Sequence, residues 1–163
     1  MVYTPEKLTF KLEGFAEFEQ QLKEIAEGFR GDLVSRNTLV PAAKVAMEIV
    51  YNDAISMAPV GDKPRDDKNP FHMRDTIRLD ARIPNEKDKK SEYVNETDAA
   101  IAVVSVKKSA VSLAQEFGTS RIGAKSFLRP ALQNNAETVL TALKSQLASR
   151  IPDYAAKLAR KRK

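Results

Sequence analysis

The stretch "IRLDARI", residues 77–83, sets the firmest limit on the fold. Ile77, Leu79, Ala81 and Ile83 alternate with Arg78, Asp80 and Arg82. A period of two sends one set inward and the other into water, which predicts a half-buried strand. "AAIAVVSV", residues 99–106, is apolar on both faces, as a central strand would be. "AVSLAQEFG", residues 110–118, predicts a further strand with Val111, Leu113 and Phe117 on one side. The connections between these segments, a polar 84–98 and the turn-sized "KKS", carry no crossover helix. The three strands should therefore be antiparallel.

The flanks supply the rest. "KLTFKLEGF" alternates Leu8, Phe10 and Leu12 with polar residues, a fourth strand. Phe15, Phe18, Leu22, Ile25 and Phe29 then recur at steps of three and four, one helical stripe. That stripe reads most simply as core; exposed, it would be an assembly face. A second helix starts near Thr38 to Pro41 and runs to Met57, with Leu39, Ala43, Ala46, Val50 and Ala54 inward, until Pro59 stops it. Asn69 and Pro70 suit the cap and first position of a short turn holding "FHMRDT". Beyond Pro130, Leu132, Val139, Leu140, Leu143 and Leu147 mark a long amphipathic helix, which Pro152 should kink or break before a short basic helix. The expected fold is α+β, one mainly antiparallel sheet of about four strands packed against two or three long helices.

The 163 residues suffice for one domain with one core, here 1–151, followed by a basic C-terminal helix or tail, 152–163. No apolar run approaches the roughly 18 residues that span a membrane, and no secretory signal is visible. With no cysteine there are no disulfides, thiolate metal sites or cysteine nucleophiles, and an intracellular origin fits. The net charge of +5 is uneven: Lys157, Arg160, Lys161, Arg162 and Lys163 against Asp153 give the tail plus four, which leaves plus one for residues 1–152. A fold-wide basic face for duplex DNA is not indicated. The tail itself reads as a solvated terminus, a phosphate contact without sequence preference, or a dock for an acidic partner.

"GTSRIGAKSFLRP", residues 118–130, lies one residue from a phosphate-binding loop, G-x-x-x-x-G-K-[ST]. Such a loop needs its lysine directly after the second glycine, in the first turn of a helix. Here Ala124 intervenes, and Pro130 suits a helix start five residues beyond Lys125. The stretch predicts a strand-to-helix connection whose glycines supply unusual dihedrals, with no nucleotide cofactor. His72, the one histidine, has Asp66, Asp67 and Asp75 nearby, a weak pattern for a metal. No Ser-His-Asp spacing stands out, and Glu116 is expected to face solvent or an arginine rather than act as an acid. Neither cofactor nor metal is expected.

The order "ISMAPVG", "FHMRDTI", "AQEFGTS" and "AKSFLRPAL" resembles the tail-completion and head–tail joining proteins of long-tailed bacteriophages. The specific part is Glu116, Phe117, Gly118 and Thr119, followed by Phe127, Leu128, Arg129, Pro130 and Ala131. The likeness runs loosely from residue 8 to about residue 147. It departs at an insertion of about ten residues, "DKPRDDKNPF", at Met73 where leucine is common, and at the long polar loop 84–98. The resemblance implies a structural virion protein without catalytic activity, assembled in the host cytoplasm into a ring at the neck. Six-fold symmetry is favoured, with twelve the other option. Its partners would be itself, the neighbouring phage connector and tail proteins, and passing DNA without sequence specificity, with no membrane. The competing reading is a nucleic-acid-binding module acting through the basic tail; a nucleotide hydrolase is a distant third.

Overall fold

Small residues at every fourth position shape the centre of the molecule. The computed structural model describes residues 35–61, 72–94 and 98–161. The strand expected at 8–12, the stripe from Phe15 to Phe29, and Asn69 with Pro70 lie outside them. Helix α1, Val40–Met57, follows a wide π-type turn at Ser35–Leu39. It buries Ala42, Ala46, Val50 and Ala54, and the row continues into buried Thr38 before it and Ala58 after it. Leu39 and Ala43, expected inward, are only half-buried, so the buried row lies one residue earlier at this end. Ala58 leaves the helix in extended geometry, as a residue before proline tends to, while its N–H still reaches Ala54 O at 2.9 Å.

Strands β1, Arg78–Arg82, and β2, Ile101–Ser105, pair antiparallel with Leu79 opposite Val104 and Ala81 opposite Ala102. These four are half-buried, and both strands pack on α1. The described residues thus form an α+β fold, with a sheet of two strands rather than about four. Residues 110–118 account for one difference. Ala110–Phe117 is a helix, α2, not a strand. Ser109 caps it: its Oγ accepts from Ser112 N–H at 3.1 Å, and its own N–H donates to Ser112 Oγ at 2.9 Å. Val111, Leu113 and Phe117 fit a strand face only if the reciprocal serines ahead of them are overlooked.

Helix α3, Leu128–Lys161, runs 34 residues and is not broken at Pro152. The expected separate basic helix is its last turns. The start of α3 meets the end of α1, where Phe127, Ala131, Ala54, Ala58, Val50 and Ile77 form the core. The turn ahead of α1 also contacts α3, so the two helices run antiparallel. The alanine row permits that close approach, and Asn135 Nδ2 ties it down by donating to Asp53 Oδ2 at 2.7 Å. Leu147 is fully buried further along α3, whereas Leu132 is exposed.

The polar 84–98 loop is organised where it is described. Asn85 Oδ1 accepts from Lys87 and Asp88 N–H, and Asp88 accepts from Arg82 Nη2 at 2.7 Å and Nε at 3.2 Å. Arg82 also pairs with Asp80 on the same strand face. The Arg82 guanidinium, helped by the Asn85 N–H, holds the Asp88 carboxyl below its ordinary value, and Asp88 in turn raises Arg82.

Candidate functional site

The two halves of the 116–131 pattern meet at one corner, and Glu116 joins them. A helix starts with N–H groups that have no partner within it. In α3 these belong to Phe127, Leu128 and Arg129, followed by Pro130, which has none. Glu116 Oε2 accepts from Phe127 N–H at 3.0 Å and Leu128 N–H at 3.2 Å, and Oε1 accepts from Arg129 N–H at 3.2 Å. Ala131 N–H then begins the helical ladder on Phe127 O at 3.3 Å. The carboxylate and the proline together account for the first turn. Glu116 is buried, its negative charge set against the positive end of the helix and 3.2 Å from Arg129 Nε. Arg129 reaches back to Glu116 O through Nη2 at 3.0 Å, and its guanidinium sits 5.3 Å from the centre of the Phe117 ring.

The intervening loop is built to bring Glu116 to that helix. Gly118 ends α2 at φ +77°, a conformation side chains avoid. A Cβ there would also stand 2.9 Å from Ala124 N and 3.1 Å from Ile122 O. Thr119 N–H donates to Ile122 O at 2.8 Å, and its Oγ1 accepts from Arg121 and Ile122 N–H, closing a tight turn. Lys125 N–H donates to Gln115 O at 2.8 Å, and Ser126 Oγ donates to Glu116 O at 2.6 Å. Gly123 has neither a positive φ nor a neighbour within 4 Å, so only one of the two glycines is needed for its dihedral.

The expected site residues therefore converge in part. Glu116, Phe117, Gly118, Thr119, Phe127, Leu128, Arg129 and Pro130 form one corner. Phe127 is fully buried and Leu128 packs on the core. Of the two expectations for Glu116, solvent or an arginine, the structure shows the second: it is buried at the centre of the corner, against Arg129. Phe117 is 57% exposed. Lys125 lies three residues ahead of α3 rather than five, and the N–H groups a phosphate would need are held by Glu116. Lys157, Arg160 and Lys161 belong to the last turns of α3, far along the helix from the corner; Arg160 is exposed, and Arg162 and Lys163 lie outside the described residues.

His72 is not drawn into a metal cluster with Asp75. Its N–H donates to Asp75 Oδ2 at 3.0 Å, which opens the short helical turn Met73–Thr76; Asp66 and Asp67 lie outside the described residues. Among the described residues no group of three potential metal ligands gathers, and no helix is long and apolar enough to cross a membrane.

One charge feature escaped the reading of the tail. From residue 107 to residue 136 the sequence has five cations, Lys107, Lys108, Arg121, Lys125 and Arg129, and a single carboxylate, Glu116. That carboxylate is buried, and the exposed charges of this stretch are Lys107, Lys108, Arg121 and Lys125. Counting charge segment by segment, rather than tail against body, would have found it. No family model, curated protein or solved structure matches the chain.

Proposed function

We propose that the chain is a structural, non-catalytic virion protein of a tailed phage, forming a ring at the neck that completes the tail and joins it to the head connector. One observation carries this reading. The residues that bear the resemblance, two groups with seven residues between them, form a single interlocked corner centred on Glu116. A chance assembly of short sequence likenesses has no reason to share one hydrogen-bonded unit. The ring is favoured as six-fold, with neighbouring connector and tail proteins above and below it, in particles assembled in the host cytoplasm.

Electron microscopy of particles made without the chain tests the proposal. Separate heads and tails are expected, rejoined when the purified chain is added back. Normal joined particles in its absence would remove the neck assignment. The alternative, a nucleic-acid-binding module acting through Lys157, Arg160, Lys161, Arg162 and Lys163, rests on the cations gathered at the end of α3. It predicts salt-sensitive binding to any duplex, lost on truncation after Ile151.

A further inference from the structure

Helix α2 is turned inside out. It buries Ser112 and Glu116 and exposes Leu113 and Phe117, one turn apart on its outer side. Ile122, folded back against Gly118, and Leu132, one turn beyond the Arg129 that lies by Phe117, are exposed beside them. Scattered exposed apolar residues mean little, but several at one corner mark an interaction surface. Arg121 and Lys125 are exposed at its rim, and no free carboxylate occurs in the segment. The surface thus fits a partner with an apolar centre and acidic flanks. A nucleic-acid backbone would match the cations and leave the four apolar side chains in water, so a protein partner is favoured.

The chain itself holds a segment of that description. Residues 13–32 carry Phe15, Phe18, Leu22, Ile25 and Phe29, and six carboxylates, Glu13, Glu17, Glu19, Glu24, Glu27 and Asp32, against Lys23 and Arg30. The whole sequence is divided the same way. Residues 1–98 hold fifteen Lys and Arg against nineteen Asp and Glu, net minus four; residues 99–163 hold twelve against three, net plus nine. We infer that the corner formed by α2, the glycine loop and the start of α3 receives the apolar, acidic segment 13–32 of a second copy of the chain.

Chain reach sets the C-terminal end of the stripe apart from its own corner. The corner lies at the C-terminal end of α1, because Phe127 and Ala131 pack on Ala54 and Ala58. The segment joins the fold ahead of the N-terminal end of α1. An 18-residue helix is about 27 Å long. Phe29 is six residues from Ser35 and reaches at most about 20 Å even fully extended. Phe29 therefore cannot reach its own chain's corner, whereas a neighbour's Phe29 can; the earlier members of the stripe have longer tethers. A donor at one end of α1 and an acceptor at the other is a head-to-tail contact, which closes into a ring when the rotation allows. In this the inference rests on the ring reading and names the surfaces that would make it.

The chain has no cysteine, so introduced ones report unambiguously. Phe29→Cys chain is mixed with Ile122→Cys chain and gently oxidised. A disulfide-linked pair is expected, well above the yield with Val103→Cys, which sits exposed on the sheet. In the chain carrying both cysteines, linked multimers are expected. A closed monomer, or no link above the Val103 control, overturns the inference. As an independent arm, Arg121→Glu with Lys125→Glu should weaken self-association in light scattering by about tenfold or more, since like charges then face each other. Adding Glu24→Lys with Glu27→Lys should restore it. If instead the first pair leaves self-association intact and abolishes binding of a labelled DNA duplex, the corner belongs to nucleic acid and the inference fails. The link forming in a chain whose absence leaves heads and tails joined supports this contact and removes only the neck role. Failure of the link in a chain needed for joining removes only this contact.

Discussion

The Glu116 carboxylate accepts the N–H of Arg129 at 3.2 Å and its Nε at the same distance, so one arginine is held both as helix backbone and as counter-ion. Glu116 is a cap supplied from eleven to thirteen residues upstream rather than by the residue ahead of the helix. Glu116→Ala leaves three N–H groups at a buried helix end without acceptors and should cost about 2–4 kcal/mol. Glu116→Gln keeps a carbonyl acceptor and should cost less. Urea denaturation of the three proteins checks the order. An alanine variant as stable as the parent would mean that water caps α3 equally well.

Gly118 and Gly123 stand in the same loop and should respond oppositely. Gly118 has φ +77° and backbone atoms where a Cβ would go. Gly118→Val should cost roughly 1–3 kcal/mol from dihedral strain alone, with the clash adding to it. Gly123→Ala meets open space and should be neutral or stabilising by up to about 1 kcal/mol, through the less flexible unfolded chain. Paired melting curves check both, and equal effects would contradict the loop geometry.

The contrast between those glycines shows what was legible in the sequence. Both look alike in "GTSRIGAK"; only the closed turn between Thr119 and Ile122 tells them apart. Local alternation was enough for β1, whose inward face rests on α1. β2 was legible as a strand from its apolar run, but that run implied two covered faces, and among the described residues it pairs with β1 alone and exposes Val103. It failed at α2, where the buried residues are polar: Ser112 and Glu116 are satisfied by contacts several residues away, which periodicity does not register. Along α3 the apolar stripe was visible, but not which members are covered. Leu147 is buried and Leu143 only half so, because the antiparallel run of α1 decides where the helix is covered. The Glu116 corner was visible as a pattern and not as a mechanism.

The pairing of Arg82 with Asp88 carries a pH dependence with a definite sign. Asp88 is held below its ordinary value of 3.8 in the folded chain, with Arg82 as the main cause and the Asn85 N–H second. A carboxyl with a depressed folded-state value stabilises the fold fully above its unfolded value. That stabilisation is lost as pH falls through the folded value. Acid unfolding of the parent should therefore include a component below about pH 4 that Arg82→Gln reduces. Nuclear magnetic resonance titration of Asp88 checks it directly, and a value at or above 3.8 in the parent would contradict the pairing.

The last prediction concerns the alanine row. Ala46 and Ala54 are buried on α1, and α1 packs closely along α3. At Ala54 the neighbours include Phe127 and Ala131, so a longer side chain has no empty volume to enter. Ala54→Leu must push α3 outward or force a strained rotamer, and should cost about 1–3 kcal/mol despite adding apolar surface. The shift would also move Phe127 and, through its N–H, the Glu116 cap. The double variant with Glu116→Ala should therefore lose less than the sum of the two single losses, because the cap is already weakened in each. Denaturation of the single and double variants measures that coupling. Full additivity would mean that the helix pair and the corner act independently. An Ala54→Leu chain as stable as the parent would mean that the row is not the contact that sets the spacing of α1 and α3.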